Sequence, residues 1–456
     1  MPLKIAMLGA GSIGFTRRLM QDLLAVPEFA DTTFAFMDID PMNLDMVTQL
    51  CERDIQTNNL PARIISTLDR REALRDCDYV ICMIRQGRLE AFQLDIDIHL
   101  KYGVDQCVGD TICAGGIMYA QRTIPELLGI CKDIREVAKP DTLFINYSNP
   151  MAMNTWACNK YGGVPTIGLC HGVQGGHWQI TSCVEMWAKR QGFIPPDYKM
   201  HRREVDVIAA GINHQTWFIK VTHKGIDLTD KVLEAFKRTP DLVASEPLRI
   251  DVLERFGYYS TETNGHLSEY LPWYRKGGKE QMARWMDPSC WSGGETGGYL
   301  RLCREGQDDY RKNYPKWMSG DLDQIPLGRR SSEHGSYIIE AMETGRRYWG
   351  TFNVENTGLI TNLPDGCTVE LPCIVDSNGI QPTFVGDLPP QCAATCRASV
   401  SVQEMAVEAA ITGDRQLVKL AVLHDPLTSA VCTPDQVWAM CDEMFEKLAP
   451  WLPQFG

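Results

Sequence analysis

The chain has 456 residues, of which 44% are hydrophobic and 23% are charged, a composition typical of a globular protein that buries a large core. Its formal net charge of −13 argues against nucleic acid or an anionic membrane as a partner, because phosphate groups are bound by clustered lysine and arginine. No apolar run approaches the roughly 18 residues that a membrane span needs, and the N-terminus has no signal-peptide pattern, so we expect a cytoplasmic protein that acts on a small molecule.

The first predicted elements form a dinucleotide-binding unit. Residues 3–8 predict a strand that runs into a GxGxxG turn, a helical pattern follows, and a second predicted strand ends at Asp38. The turn consists of Gly9, Ala10, Gly11, Ser12, Ile13 and Gly14. In this context Gly9 permits the tight turn, Gly11 lets a pyrophosphate approach the backbone, and Gly14 lets the helix and strand pack closely. We therefore expect Gly9, Gly11, Ser12, Ile13 and Gly14 to bind a cofactor.

Asp38 indicates which dinucleotide is bound. An acid at this position accepts hydrogen bonds from the adenosine ribose and repels a 2′-phosphate, which predicts NAD rather than NADP. Further apolar segments at 78–84 and 141–150 predict buried parallel strands. Their carboxyl ends should open on the cofactor crevice. The alternation predicts an α/β fold whose N-terminal domain, residues 1–195, is a Rossmann-like doubly wound parallel sheet.

Residues 196–456 show a different pattern and predict a C-terminal α+β domain. The segment 204–221 predicts two strands around the turn at 211–214, a further strand is predicted at 367–375, and the C-terminus has helical patterns. The region 261–320 is rich in tryptophan, glycine and charge. We expect it to form loops over a pocket, although a solvated connector fits the composition equally well.

Several motifs occur in an order that resembles a known enzyme family. They are "KIAMLGAGSIGF", "GDTICAGGIM", "NYSNPMAMNTWA", "GLCHGVQG", "GINH" and "GHLSEYLPW". Over nearly its whole length the chain resembles the NAD- and manganese-dependent glycosidases of glycoside hydrolase family four, and within that family the bacterial α-galactosidases. The resemblance implies a lactate/malate dehydrogenase-like glycosidase fold, bound NAD and Mn²⁺ or another divalent cation. It also implies a homodimer or homotetramer that hydrolyses terminal α-linked hexosides.

The resemblance assigns the metal to Cys170 and His214, with O2 and O3 of the sugar completing the coordination. Residue chemistry alone favours a different interpretation, because most cysteines like Cys170 are buried core thiols. A thiolate with an imidazole also suggests zinc at least as readily as manganese. Manganese is therefore implied by the family alone.

The resemblance also implies an unusual route to hydrolysis. Hydride is removed from C3 of the sugar, the C2 proton is abstracted, the C1 oxygen leaves, water adds and the hydride returns. Tyr270 would abstract the C2 proton with support from Asp110, and His171 would donate a proton to the leaving oxygen. On residue chemistry alone, Tyr270 is a core aromatic residue and His171 a turn residue that orients the metal ligand.

Three further residues are candidates for substrate binding. Asn149 is expected to bind sugar hydroxyls, but an Asx turn before Pro150 is a serious alternative. Arg85 and Arg88 suit an anionic group on the sugar, or else bind cofactor phosphates or form ion pairs. Gly172 stands where α-galactosidases of the family usually carry serine, and this glycine is similar to the pattern of enzymes acting on uronic acids.

A later stretch also departs from the family. The expected Ser-Arg-Glu is replaced by Ser331-Ser332-Glu333, preceded by Arg329 and Arg330, which indicates an altered pocket. The favoured function is hydrolysis of terminal α-galactosides. The alternatives are the same chemistry on an anionic α-hexoside (an α-glucuronide, α-galacturonide or α-sulfoquinovoside), an NAD-dependent sugar or hydroxy-acid dehydrogenase, and an NAD-binding module without turnover.

Overall fold

The computed structural model describes residues 2–320, 327 and 330–455, so Arg329 lies outside the described residues. The strands are β1 Lys4–Leu8, β2 Thr33–Met37, β3 Arg63–Thr67, β4 Tyr79–Cys82, β5 Leu143–Asn146, β6 Thr166–Gly168, β7 Val205–Ile212, β8 Gln215–His223, β9 Ile226–Asp227, β10 Tyr259–Ser260, β11 Tyr348–Glu355, β12 Thr368–Asp376 and β13 Gly379–Pro382.

The helices that precede β7 are α1 Thr16–Leu24, α2 Pro41–Thr57, α3 Arg70–Leu74, α4 Arg88–Lys101, α5 Cys113–Val137, α6 Met151–Ala157 and α7 Gly172–Arg190. Those that follow it are α8 Val232–Lys237, α9 Pro240–Ser245, α10 Pro247–Phe256, α11 Asn264–Tyr270, α12 Lys279–Met282, α13 Gly298–Ser319, α14 His334–Thr344, α15 Pro390–Thr412, α16 Arg415–His424, α17 Pro426–Val431 and α18 Pro434–Leu448. None of these described helices is long and apolar enough to cross a membrane.

A single mixed sheet contains the 13 described strands. Along one half the order is β3-β2-β1-β4-β5-β6 and every pairing is parallel, which is the order of a Rossmann dinucleotide-binding sheet. Beyond β6 the sheet continues through β11, β12, β7, β8 and β10, and every pairing is antiparallel. The predicted α/β class is confirmed, and so is the predicted pair of strands in 204–221.

Strands β1, β2, β4, β5 and β6 of the parallel half are largely buried, as strands flanked by helices must be, whereas the edge strand β3 is mostly exposed. In β1, Ile5 and Met7 belong to one core cluster whereas Ala6 and Leu8 belong to another, because successive side chains point to opposite faces. Both β4 and β5 are buried at every position. This explains why these segments are short continuous apolar runs in the sequence.

The C-terminal helices return to the N-terminal half. Helix α15 packs against α5 and α6, and α18 packs against α4. The sheet likewise crosses from β6 to β11 through the pairing of Gly168 with Asn353. The two predicted domains share one sheet and pack their helices together. The domain boundary at residue 195 therefore stays a prediction.

The expectation of loops across 261–320 is wrong for much of its length. This region contains α11, α12 and the 22-residue helix α13. The helix presents only a narrow apolar stripe, in which Leu300 and Tyr310 are buried and Tyr314 and Trp317 are partly buried. Because the apolar stripe is narrow, most positions of α13 are polar or charged, and the helix also contains Pro315. The helical repeat of apolar residues is therefore difficult to recognise in the sequence.

Candidate active site

The turn after β1 has the geometry of a dinucleotide-binding loop. Gly9 has φ +79°, and a Cβ there would lie 2.9 Å from the backbone carbonyl carbon of Met83, so glycine is required on both grounds. The Gly9 amide donates to the carbonyl oxygen of Met37 at 2.9 Å. The Gly11 amide donates to Oδ2 of Asp38 at 2.8 Å, and a Cβ on Gly11 would lie 2.9 Å from that oxygen. Asp38 and the turn therefore form one unit.

The remaining residues of the turn differ in how strictly they are fixed. The Ser12 amide donates to the carbonyl oxygen of Gly9 at 3.0 Å, and Ile13 is half-buried. A Cβ on Gly14 would meet no heavy atom within 4 Å. Close packing of helix and strand therefore does not explain this glycine, and the reason expected from the sequence is wrong.

Asp38 lies next to a second acid at the start of α2. Burial raises the pKa of Asp38, while backbone amides of Asp40 and Gly11 oppose the shift. Arg88 Nη1 lies 3.4 Å from Asp40 Oδ2, and its side chain is half-exposed. The described contact of Arg88 is thus an ion pair with Asp40, and a contact of Arg88 with substrate stays a prediction.

Three potential metal ligands converge from distant parts of the chain. Cys170 follows β6, His214 lies in the turn between β7 and β8, and Glu262 follows β10. Cys170 Sγ lies 3.5 Å from His214 Nε2 and 3.8 Å from Glu262 Oε1, and the three ligand atoms lie within 4.8 Å of one another. The predicted pair is therefore brought together. The third member, Glu262, was missed because no local pattern distinguishes it from other acids.

The position of Glu262 gives a physical reason for the unusual Gly172. A Cβ on Gly172 would lie only 1.7 Å from Glu262 Oε1, so any side chain at position 172 would displace the carboxylate. The Gly172 amide also lies 3.5 Å from Cys170 Sγ and donates to it. The glycine therefore leaves room for the acid that completes the cluster.

His214 is suited to binding a cation. Burial lowers its pKa well below the usual value, and the nearby His266 and His171 lower it further, so the ring is neutral. A neutral imidazole is the form that binds metal. Its Nδ1 is buried with no hydrogen-bond partner among the described residues. The His266 ring centre lies 4.4 Å from that of His214.

A second acid behind the cluster was also missed from the sequence. Burial raises the pKa of Glu370 to about 7, and the charge of Glu262 adds to this rise. Thr216 Oγ1 donates to Glu370 Oε2 at 2.6 Å, and Asn353 Nδ2 donates to Oε1 at 3.2 Å. Since Glu370 lies on β12 and Thr216 on β8, only the antiparallel half of the sheet brings them together.

The candidate sugar-binding residues form a connected network. Arg85 Nη2 donates to Asp110 Oδ2 at 2.8 Å, and Asn149 Nδ2 donates to Asp110 Oδ1 at 3.2 Å. The guanidinium carbon of Arg85 lies 4.6 Å from the centre of the Phe92 ring. Arg85 Nη1 is buried and has no hydrogen-bond partner in the part of the chain that the structure describes. This nitrogen has an unused donor inside the protein, and a contact of Arg85 with substrate stays a prediction.

Tyr270 ends α11 and is almost fully buried, at 2% exposure. Burial raises the pKa of its hydroxyl far above the ordinary value, and a hydrogen bond with Thr111 opposes the rise. In the protein alone this phenol is therefore protonated at neutral pH. Asp110 is bound by Arg85 and Asn149, so its support of Tyr270 stays a prediction.

His171 lies at the mouth of the site, and its side chain is 64% exposed. Its Nδ1 lies 3.5 Å from Oε1 of the buried Glu333, and this partner raises the pKa of His171. Glu333 thus orients the imidazole and favours its protonated form. Its neighbour Ser331 is held by Asp22, to which the Ser331 amide donates at 2.7 Å.

Comparisons with known proteins agree with this geometry. Residues 4–186 match the model of the Family 4 glycosyl hydrolases, and residues 209–428 match that of the Family 4 glycosyl hydrolase C-terminal domain. An alpha-galactosidase of Rhizobium meliloti (strain 1021) is 53% identical over 454 residues, covering 99% of this chain and 90% of the relative. An alpha-galactosidase of Bacillus subtilis (strain 168) is 35% identical over 455 residues, covering 99% of both.

Solved structures share the fold over nearly the whole length. Bacillus subtilis lplD, described as a glucosidase, superposes with a TM-score of 0.82 at 26% identity, covering 97% of this chain and 99% of the other. A 6-phospho-alpha-glucosidase from gut microorganisms superposes with a TM-score of 0.80 at 18% identity, covering 99% of each chain. The family resemblance inferred from the motifs is confirmed, and the chain belongs to the family 4 glycosyl hydrolases.

Proposed function

We propose that this enzyme hydrolyses terminal α-galactosides with the help of NAD and a divalent cation. The observation that carries the proposal is the sheet order. Strands β1, β4, β5 and β6 are neighbours and parallel, so their carboxyl ends bring the glycine turn, Arg85, Asn149 and Cys170 to one crevice. Ligands of open parallel sheets bind at this edge.

The relatives support the substrate and the cofactors. The two relatives described above, at 53% and 35% identity, are both alpha-galactosidases. The 6-phospho-alpha-glucosidase of similar fold was solved in complex with NAD and Mn²⁺. A cysteine, a neutral histidine whose Nε2 lies 3.5 Å from the cysteine sulfur, and a carboxylate fit a divalent cation, so Cys170, His214 and Glu262 would hold it. The turn at Gly9, Gly11 and Asp38 would hold NAD.

When bound, NAD would accept a hydride from C3 of the sugar and later return it, while the cation would polarise the C2 and C3 oxygens. Tyr270 would take the C2 proton. Its raised pKa makes it a poor base in the protein alone. The charge of Glu262 contributes to that rise, so a cation held by Glu262 would lower the pKa of Tyr270. The catalytic tyrosine is therefore coupled to the metal site.

His171 and Arg85 complete the proposed machinery. His171 would donate a proton to the leaving oxygen, and its ion pair with Glu333 keeps the proton available at neutral pH. Arg85 would donate to a sugar hydroxyl, and Asn149 would bind a second one, since both side chains meet at Asp110. Asp110 would fix both side chains in place.

The cellular location, partners and oligomeric state of the enzyme belong to the same proposal. Because the sugar and NAD are small molecules and the net charge is −13, we propose a cytoplasmic enzyme without nucleic-acid or membrane partners. We further propose a homodimer or homotetramer. Analytical ultracentrifugation would test the assembly, and a monomer at assay concentrations would contradict it.

The central experiment is a steady-state assay with nitrophenyl α-galactoside, NAD and Mn²⁺ under reducing conditions. We expect nitrophenol release without accumulation of NADH, and slower turnover when C2 carries deuterium. Stoichiometric NADH would instead identify a dehydrogenase, and tight NAD binding without turnover a binding module. Nitrophenyl α-galacturonide and α-glucuronide and a sulfonated α-glucoside, assayed in parallel, should be poorer substrates. A better rate on any of them would overturn the preference for a neutral galactoside.

A further inference from the structure

A buried carboxylate holds the segment that carries Asp110 to the helix that carries Tyr270. The segment, residues 105–110, runs between α4 and α5, and none of its residues belongs to a described helix or strand. Its position therefore depends on the side chains that bind it. Glu269, the residue before Tyr270 at the end of α11, is such a side chain and is fully buried.

Glu269 accepts four hydrogen bonds, all from this segment. Its Oε1 accepts from the backbone amides of Cys107 at 2.7 Å and Val108 at 2.6 Å. Its Oε2 accepts from the Gly109 amide at 3.2 Å and from Gln106 Nε2 at 3.1 Å. Hydrogen bonds to a charged acceptor are stronger than those to a neutral one. The carboxylate therefore fixes three successive backbone amides of the segment.

A buried arginine holds the start of the same segment. Arg275 is 1% exposed, its Nε donates to the carbonyl oxygen of Asp105 at 3.0 Å, and its Nη2 donates to Asp105 Oδ1 at 2.9 Å. Burial raises the pKa of Glu269, and the charge of Arg275 opposes that rise, which favours the ionised carboxylate. Both charged side chains thus hold the segment against the chain around Tyr270.

The segment ends at the acid that organises the candidate sugar-binding residues. Asp110 directly follows the amides that Glu269 binds, and it accepts hydrogen bonds from Arg85 and Asn149. A shift of the segment would therefore move these groups together relative to Tyr270. The hydrogen bonds of Glu269 connect the two parts of the candidate active site.

We propose that Glu269 is a positioning residue for abstraction of the C2 proton. This inference rests on the proposed function, in which Tyr270 takes that proton. Glu269 is fully buried, so it acts through its neighbours: it fixes the distance between Tyr270 and Asp110, and with it the distance between the base and the sugar. Misplacing a reacting group by about 1 Å can cost on the order of 100-fold in rate.

Glu269→Gln tests the proposal with nitrophenyl α-galactosides that carry hydrogen or deuterium at C2. Whichever way the new amide group turns, its NH₂ faces N–H donors of the segment, so the segment should shift. We expect kcat to fall by about 10- to 100-fold while KM changes less than about twofold. The isotope effect should rise, because a misplaced base slows proton abstraction relative to the other steps. The affinities for NAD and Mn²⁺ should match those of the wild type.

Asp133→Asn is the matched control for loss of stability. Asp133 is also a buried acid and accepts from Arg70 Nε at 2.8 Å, but it lies about 30 Å along α5 from Cys113, where that helix begins. This variant should lower Tm and leave kcat per NAD-binding site and the isotope effect unchanged. Loss of folded enzyme reduces only the number of active molecules.

Gln106→Met is a milder variant, because it removes only one of the four donors to Glu269. Its kcat should fall about threefold, and the isotope effect should rise as in Glu269→Gln. If Glu269→Gln does not fold, Gln106→Met decides the question.

A wild-type kcat in these variants, or a lower kcat with an unchanged isotope effect, would overturn the positioning role and leave the proposed function intact. A different result would contradict both proposals. If the wild-type enzyme shows no isotope effect at C2 and takes up no solvent deuterium there, proton abstraction is not part of the reaction, and the role of Glu269 is rejected with it.

Discussion

The cofactor turn and the metal cluster lie at the same edge of the sheet but are built in opposite ways. The turn is a contiguous motif, and Asp38 joins it across a single neighbouring strand. The cluster takes Cys170 from the end of a parallel strand, His214 from an antiparallel hairpin and Glu262 from a segment after β10. Local sequence therefore specifies the first region, whereas the second exists only when the whole sheet is assembled.

The largest effect should come from removing a metal ligand. Cys170→Ser exchanges a soft sulfur ligand for a hydroxyl, and we expect metal-dependent activity to fall at least about 100-fold in the nitrophenyl α-galactoside assay. Circular dichroism and thermal melting should match the wild type. Cys290→Ser is the control, because Cys290 is a half-buried free thiol outside the cluster. Full activity of Cys170→Ser would show that the Cys170 thiol is not a metal ligand.

The next largest effect should come from the space at position 172. Gly172→Ala places a methyl group 1.7 Å from Glu262 Oε1, so the carboxylate must move and Mn²⁺ affinity should fall by about 10- to 100-fold. Calorimetric titration with Mn²⁺ measures this. Gly175→Ala on the same helix is the control, since its Cβ would meet no heavy atom within 4 Å, and metal affinity should be retained. Unchanged Mn²⁺ affinity in Gly172→Ala would show that Glu262 is not a metal ligand.

On the cofactor side, Asp38→Asn should weaken NAD binding by on the order of tenfold, because a hydrogen bond to a charged acceptor becomes a neutral one. The preference for NAD over NADP should narrow as well, because the charge that repels a 2′-phosphate is lost. Fluorescence titration with both dinucleotides measures the two affinities. The exposed Asp31→Asn should change neither of them. An unaltered NAD/NADP ratio in Asp38→Asn would contradict the assignment of the acid.

A smaller effect should appear in the pH profile. Glu333 raises the pKa of His171, so the protonated acid persists to higher pH, and activity should be lost as pH rises through that pKa. Glu333→Gln removes the charge and should move the alkaline limb of kcat/KM to lower pH by less than about one unit, since the imidazole is exposed. Glu355→Gln, at an exposed position, should leave the limb in place. A shift to higher pH would exclude His171 as the acid.

The smallest effect should be at the third glycine of the turn. Gly14→Ala introduces a methyl group that meets nothing within 4 Å, so NAD affinity should change less than about threefold. In Gly9→Ala the new methyl group would meet the backbone of Met83, and NAD affinity should fall clearly more. Titration of both variants compares the two ends of the motif. A large loss in Gly14→Ala would show that the bound dinucleotide approaches position 14 closely.

Sequence-based prediction succeeded for features encoded locally and failed for features that depend on the assembled sheet. Strands β4 and β5 of the parallel half were predictable because residues buried on both faces form short continuous apolar runs, whereas the mostly exposed β3 was not predicted. Helix α13 was not, because its apolar stripe is narrow and its surface is charged. The proposed metal ligands Cys170 and His214 were identified through the family resemblance, since residue chemistry alone favoured a core thiol for Cys170.

By itself the sequence determined the α/β class and the family and predicted Asp38 as the acid that selects NAD, because each depends on residues close together in the chain or on motifs in a fixed order. Only the tertiary structure decided that Glu262 joins Cys170 and His214, that Gly172 leaves room for it, and that Glu333 reaches His171. The physical reason is that an acid carries no local signal of its partner. Its role depends on the sheet pairing that brings distant strands to one edge.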